Sequence, residues 1–203
     1  MRLTITTFLS LDGVMQAPGG PEEDRSNGFE YGGWLVPFAD EDMNRYVSEW
    51  FAQADAFLFG RKTYEIMAAY WPRVTDENDP VAGPMNRLPK YVASGTLDRL
   101  DWANSHLITG DVVEEVTKLK QQPGGELQVH GSGVLARTLI DHNLIDEYRL
   151  WIYPVVLGGG KRLFAEGVTP TALRLVDTRA TSTGVAVHSY QPTGKPTVGS
   201  FGL

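Results

Sequence analysis

Residues 126–140 read ELQVHGSGVLARTLI. The extended run through Val129 and His130 stops at Gly131-Ser132-Gly133, and Leu135, Leu139 and Ile140 then recur at helical spacing. Two glycines at such a junction have two readings. Glycine gives a tight turn wherever the backbone needs one. Alternatively, backbone N–H groups at a helix start, unobstructed by side chains, cradle a phosphate. The spacing Gly131-x-Gly133-x-x-Ala136 satisfies the relaxed dinucleotide fingerprint, which tolerates alanine at its third position. The rest of the chain decides between them.

Outward from this stretch, the chain alternates strands and helices. Residues 2–9 (RLTITTFL) are β-branched and apolar and predict a first strand. A long segment rich in Gly and Pro follows, 14–39, whose aromatics Phe29, Tyr31, Trp34 and Phe38 either cap a flat ligand or pack down to hold the loop; a loop of this length is more often a binding loop than a plain connector. Asp40 has the character of an N-cap, and Met43, Tyr46, Val47, Trp50, Phe51 and Ala54 follow at helical spacing, which predicts a helix over 41–53. AFLFG (56–60) predicts a strand and RKTYEIMAAY a second helix, with 71–89 a second long loop. KYVAS (90–94) and SHLIT (105–109) predict strands. Asp111 with Glu114 starts a helix over VVEEVTKLKQQ that Pro123-Gly124-Gly125 stops. After the helix at 133–142, a strand at YRLWIY and a hairpin over 172–180 and 184–191 close the pattern, and 193–203 reads as a flexible tail on a single domain of 1–192.

Repeated crossovers followed by a meander predict a mostly parallel sheet of about eight strands with a C-terminal antiparallel hairpin and helices on both faces, a three-layer α/β fold. A doubly wound Rossmann fold fits poorly, because there the Gly-rich turn follows the first strand, whereas here it lies near residue 131 with hairpins beyond it.

The totals restrict the function. The chain has 203 residues with a net charge of −7 and a pI near 5.1, which argues against nucleic acid as a partner. It has no cysteine, which removes thiolate metal sites and thiol nucleophiles, and no metal centre is expected. No stretch approaches the ~18–20 apolar residues of a membrane span, and no signal peptide is evident. The expected location is the cytoplasm.

Four segments carry a resemblance: FLSLDGVMQAPGG after the first strand, LFGRKTYEIMAAYWP around residue 60, KYVASGTL, and LQVHGSGVLARTLIDHNLIDEYRLWIYPVVLGGGKRLF. Together they resemble the dihydrofolate-reductase-like superfamily, nearest the branch related to the C-terminal reductase domain of riboflavin biosynthesis, over roughly residues 2–192. The resemblance implies NADPH bound in an extended cleft, a small heterocyclic substrate, pterin-like or ribosylamino-pyrimidine-like, and a homodimer.

Residue by residue, the resemblance implies that Gly60, Arg61, Lys62 and Thr63 hold the cofactor's phosphates, and that Ser94 and Thr96 meet the adenosine 2′-phosphate. It implies that Gly131, Ser132, Gly133, Val134 and Leu135 wrap the pyrophosphate. Ser10, Asp12 and Gly13 match the turn where substrate meets nicotinamide, with Asp12 the candidate catalytic residue, as substrate anchor or part of the proton path. Met15 and Gln16 occupy the mobile loop over the nicotinamide. Gly158, Gly159, Gly160 and Lys161 match a Gly-rich turn bordering the substrate's polar tail, and Trp34 is a further candidate substrate contact. Folate reductases place a lone carboxylate on the first helix, facing the pteridine; the inward positions here are Met43, Tyr46, Val47 and Trp50.

Overall fold

The computed structural model describes residues 1–202. Eight strands form one sheet: β1 (Arg2–Ser10), β2 (Ala54–Gly60), β3 (Lys90–Ala93), β4 (Ser105–Ile108), β5 (Glu126–His130), β6 (Glu147–Tyr153), β7 (Ala172–Ala180) and β8 (Ala186–Gly194), in the order β4-β3-β2-β5-β1-β6-β8-β7. The first six in that order pair parallel, while β8 runs antiparallel to both β6 and β7. This is the expected architecture, a dihydrofolate-reductase-like three-layer sheet with a closing antiparallel hairpin.

Five helices cover the two faces: α1 (Glu41–Phe51), α2 (Arg61–Tyr70), α3 (Ala82–Arg87), α4 (Val112–Gln121) and α5 (Gly133–Asp141). Leu3, Ile5 and Leu9 of β1 point to one face and meet Val116 and Leu119 of α4 and Leu135, Leu139 and Ile140 of α5. On the other face, Trp151 and Tyr153 of β6 pack against Tyr46 and Trp50 of α1, and Phe57 and Phe59 of β2 against Tyr64 and Met85 of α2 and α3. Such two-sided burial is what parallel central strands require. Caps set two helix starts: the Asp40 carboxylate accepts from the Met43 N–H at 2.8 Å and Asp111 from the Glu114 N–H at 2.9 Å, each bond worth about 1 kcal/mol.

Two expectations need correction. The segment 71–89 is not a plain loop: it contains a 3₁₀ turn at Trp71–Arg73 and α3. The Asp79 carboxylate accepts from the N–H groups of Val81 and Ala82 just ahead of that helix, whose N-cap, Val81, has no side-chain cap. The strand β8 continues to Gly194, taking in the first two residues assigned to the tail. The strand YRLWIY is β6, enclosed between β1 and β8 with Trp151 and Tyr153 fully buried.

No described helix is long and apolar enough to cross a membrane. Among the described residues, no cluster of His, Cys, Asp and Glu is placed to hold a metal ion.

Candidate active site

Strand order alone gathers the expected residues. Because β3, β2, β5, β1 and β6 are successive parallel neighbours, the turns that follow them line one edge of the sheet, at about 4.8 Å per strand. Ser94, Gly60, Gly131, Asp12 and the segment 154–162 therefore follow one another along the carboxyl edge, where open α/β sheets bind ligands.

Two of these turns are bonded to each other. The Ser132 Oγ accepts the Gly60 N–H at 3.0 Å and donates to the His130 carbonyl at 3.2 Å, while the Ser132 N–H donates to the Thr63 Oγ1 at 3.1 Å. Gly131 and Ser132 both have left-handed backbone (φ 59° and 57°). For Gly131 that costs little; for Ser132 it is a conformation L-residues seldom take. A Cβ on Gly60 would lie 3.6 Å from both the Leu135 and the Ser132 Cβ, so the turns touch.

The helices these turns begin have N–H groups to offer. In α5 the first intrahelical bond is from Ala136 to the Ser132 carbonyl, which leaves Gly133, Val134 and Leu135 without helical acceptors. Gly133 is exposed and Val134 is 88% exposed, an apolar side chain standing open at the cleft. In α2 the first-turn residues are Arg61, Lys62 and Thr63, with Lys62 exposed and Arg61 paired to Glu65 at 3.1 Å. Two helix N-termini and two cations side by side form a cradle for a doubly anionic diphosphate. The residues fit a nicotinamide dinucleotide in that respect.

Ser94 and Thr96 sit at the end of β3. There the Ser94 Oγ accepts from the N–H groups of Thr96 and Leu97, closing a hydroxyl turn, with Thr96 exposed beside it.

After β1 the chain makes a tight turn. Buried Ser10 donates its Oγ to Asp12 at 2.7 Å and accepts the Val14 N–H at 2.9 Å. Gly13 follows with φ 83°. The Asp12 carboxylate also accepts from Leu157 N–H at 3.1 Å and Gly158 N–H at 2.9 Å, and the Arg162 guanidinium lies 3.4 Å away. The Ser10 hydroxyl, then the Leu157 and Gly158 amides, hold its pKa well below the usual carboxylate range. An anion so well solvated by the protein stays ionised at neutral pH and has no proton to give. The carboxylate ties the turn after β1 to the turn after β6.

Met15 crosses toward the phosphate cradle, its sulfur 3.3 Å from where a Cβ on Gly133 would stand. Gln16, 3% exposed, pins the long loop: its amide donates to the carbonyls of Asp24 and Ser26, and its oxygen accepts the Lys161 N–H, all at 3.0 Å. Lys161 also pairs with Asp24. Partial burial pushes the Asp24 carboxyl up, yet bonds from Lys161 and Ser26 outweigh it and leave the value at about 2. Gly160, with φ 126°, runs so close beneath this loop that a Cβ would sit 2.7 Å from Val14 Cγ1; only glycine fits. Gly159 faces open space and borders a cavity of about 310 Å³ lined also by Gln16, Ser26, Tyr31 and Lys161.

Trp34 is 8% exposed, donates its indole N–H to the Gln16 carbonyl at 2.8 Å and packs edge-on against Tyr153, so it holds the loop down. Around α1, Asp40 caps the helix and binds Ser182 and Thr183, Asp42 pairs with Arg45 and accepts the Ser182 N–H, and Glu49 pairs with Arg179, while Glu41 is exposed. Sequence reading missed Arg162 and the Ser132–Thr63 tie. The first joins residues 150 positions apart, and nothing local signals it.

The RibD C-terminal domain family matches residues 2–187. The uncharacterized protein YyaP of Bacillus subtilis is 31% identical over 95% of this chain and 96% of its own length. A diaminohydroxyphosphoribosylaminopyrimidine deaminase/5-amino-6-(5-phosphoribosylamino)uracil reductase from Thermotoga maritima is similar in fold, with a TM-score of 0.60 at 13% identity, covering 94% of this chain and 56% of that one. Dihydrofolate reductase from Enterococcus faecalis, solved with NADP(H), has a TM-score of 0.60 at 14% identity, over 95% of this chain and 96% of that one.

Proposed function

This chain belongs to the RibD C-terminal domain family, and we propose that it is an NADPH-dependent reductase. The substrate is a small heterocycle, pterin-like or ribosylamino-pyrimidine-like, reduced at a C=N or C=O group. The observation that carries this reading is the bonded pair of helix starts at 60–63 and 131–135 on the carboxyl edge, next to the Asp12 turn. A fold shared with the Thermotoga reductase and with an NADP(H)-bound dihydrofolate reductase supports it.

In this account the N–H groups of Gly133, Val134 and Leu135, with Arg61, Lys62 and Thr63, hold the diphosphate. Ser94 and Thr96 lie where the adenosine end reaches the edge of the cradle. When bound, the dinucleotide supplies a hydride. The protein orients it and excludes water, Val134 and Met15 giving the cleft apolar walls. Ser10, Asp12 and Gly13 shape the floor, Asp12 by fixing the 157–162 turn, and Gly159 borders the substrate's polar end. The proton that accompanies the hydride comes from solvent, since Asp12 stays ionised. The enzyme works in the cytoplasm as a homodimer. The edge strand β7 supports pairing, because Leu175 and Val176 on it are 47% and 38% exposed. Light scattering that read a single-chain mass of 22.4 kDa would remove the dimer from the account.

A second reading has a specific support. The Asp12 carboxylate is engaged by Ser10, Leu157, Gly158 and Arg162, and the inward positions of α1 are Met43, Tyr46, Val47 and Trp50, as suits a nucleotide-binding module without robust reductase activity. One experiment separates them: titrate NADPH against protein fluorescence, then follow absorbance at saturating NADPH with dihydrofolate and ribosylamino-pyrimidine substrates. Saturable quenching with oxidation supports the reductase. Quenching without oxidation of any substrate supports the module, and no quenching at millimolar NADPH rejects both.

A further inference from the structure

We propose that Ser132 is a positioning residue whose side chain sets the spacing of the two helix N-termini; the inference rests on the dinucleotide reading above. The residue is unusual on three counts. It has a left-handed backbone where the strand-to-helix turn would tolerate glycine with less strain. It is buried although it begins a helix whose next two residues are exposed. Its hydroxyl turns away from the cleft, accepting the Gly60 N–H and donating to the His130 carbonyl, while its own N–H goes to Thr63.

These bonds have a direction that matters. The Gly60 and Ser132 amides, which would otherwise point at a ligand, are satisfied within the protein. What remains for an anion is the next turn of each helix, Arg61 to Thr63 on one side and Gly133 to Leu135 on the other. Ser132 thus does not contact the diphosphate. It joins the two donor sets so that neither has to be ordered when the ligand arrives, which is where preorganisation yields affinity. Glycine at 132 would keep the turn and relieve the backbone, but it would lose the crosslink.

Ser132→Ala and Ser132→Gly test this, with NADPH and adenosine 2′-monophosphate as probes in fluorescence titrations and thermal melts run alongside. The dinucleotide carries a diphosphate that spans both helix starts; the monophosphate lacks one. Both variants should weaken NADPH about tenfold and leave the monophosphate within about twofold of wild type, on folded proteins. Ser132→Gly, with the strain removed, guards against a variant that fails to fold. Unchanged NADPH affinity in both variants overturns the positioning role while leaving the dinucleotide reading intact. Equal weakening of both ligands, in step with a lowered melting temperature, also overturns it, since that is what general loosening gives. Absence of NADPH binding by the wild type overturns the dinucleotide reading itself, and the positioning role with it.

Discussion

His130 stands just before the diagnostic turn, packed among aromatic side chains. Its ring stacks on Phe51 at 4.8 Å between centroids and its Nε2 is 3.2 Å from the Gln128 oxygen. Burial, and then the positive charge of Arg149, push its pKa down to about 4. The folded protein therefore binds fewer protons here than the unfolded chain between pH 6.5 and 4. Stability is whole above the unfolded value and is lost as pH falls through that window. Between pH 7 and 5 the loss approaches about 2 kcal/mol for this group. Urea unfolding at the two pH values should show that slope in the wild type and a shallower one in His130→Phe; parallel slopes would mean the imidazole titrates normally. For Asp12, sequence reading named an important carboxylate but could not see its partners, because Leu157, Gly158 and Arg162 lie on a turn 145 to 150 residues away.

At the scale of elements, the long loop over the site is held by few contacts of unequal worth. Gln16 is buried and bonds to the loop twice and to the 158–161 turn once. The Lys161–Asp24 pair sits at the rim with side chains 43% and 21% exposed, where ion pairs contribute about 0–1 kcal/mol. Removing the Gln16 amide leaves the part-buried Asp24 carbonyl without a donor, at a cost of about 1–3 kcal/mol, while the Ser26 carbonyl keeps the Phe29 N–H. Limited proteolysis should cut the 19–31 segment much faster in Gln16→Leu than in wild type, with Lys161→Ala changed only slightly. The reverse ranking would show the surface pair to be the true fastening. With Asp24 near 2, that pair contributes above about pH 4 and is lost only as pH falls toward 2. Helices α1 and α4 were legible because a capping aspartate and apolar spacing agree over two or more turns, and α5 from the spacing of Leu135, Leu139 and Ile140 alone. Helix α3, six residues from Ala82 and containing Gly83 and Pro84, falls below the length at which periodicity speaks, and it has no side-chain cap to mark its start.

For the whole molecule, the alternation of strand and helix followed by a meander sufficed to predict a mostly parallel sheet with an antiparallel end. The order of the strands was another matter. That β5 inserts between β2 and β1 is fixed by long-range pairing such as Leu3 with Leu127 and Leu58 with Val129, which no local pattern encodes. The resemblance supplied what periodicity could not, because it fixed which turns share an edge. Trp34 shows the limit of such reasoning. An aromatic in a Gly-rich loop is as good for packing as for binding, and only its bond to Gln16 and its contact with Tyr153 decide. The central claim is that two turns some 70 residues apart, joined through Ser132, hold one dinucleotide. Hydrogen–deuterium exchange measured with and without saturating NADPH tests it most directly. The account predicts slowed exchange in two places together, the amides of 61–64 and those of 133–136; protection at one of them alone, or at neither, would contradict it.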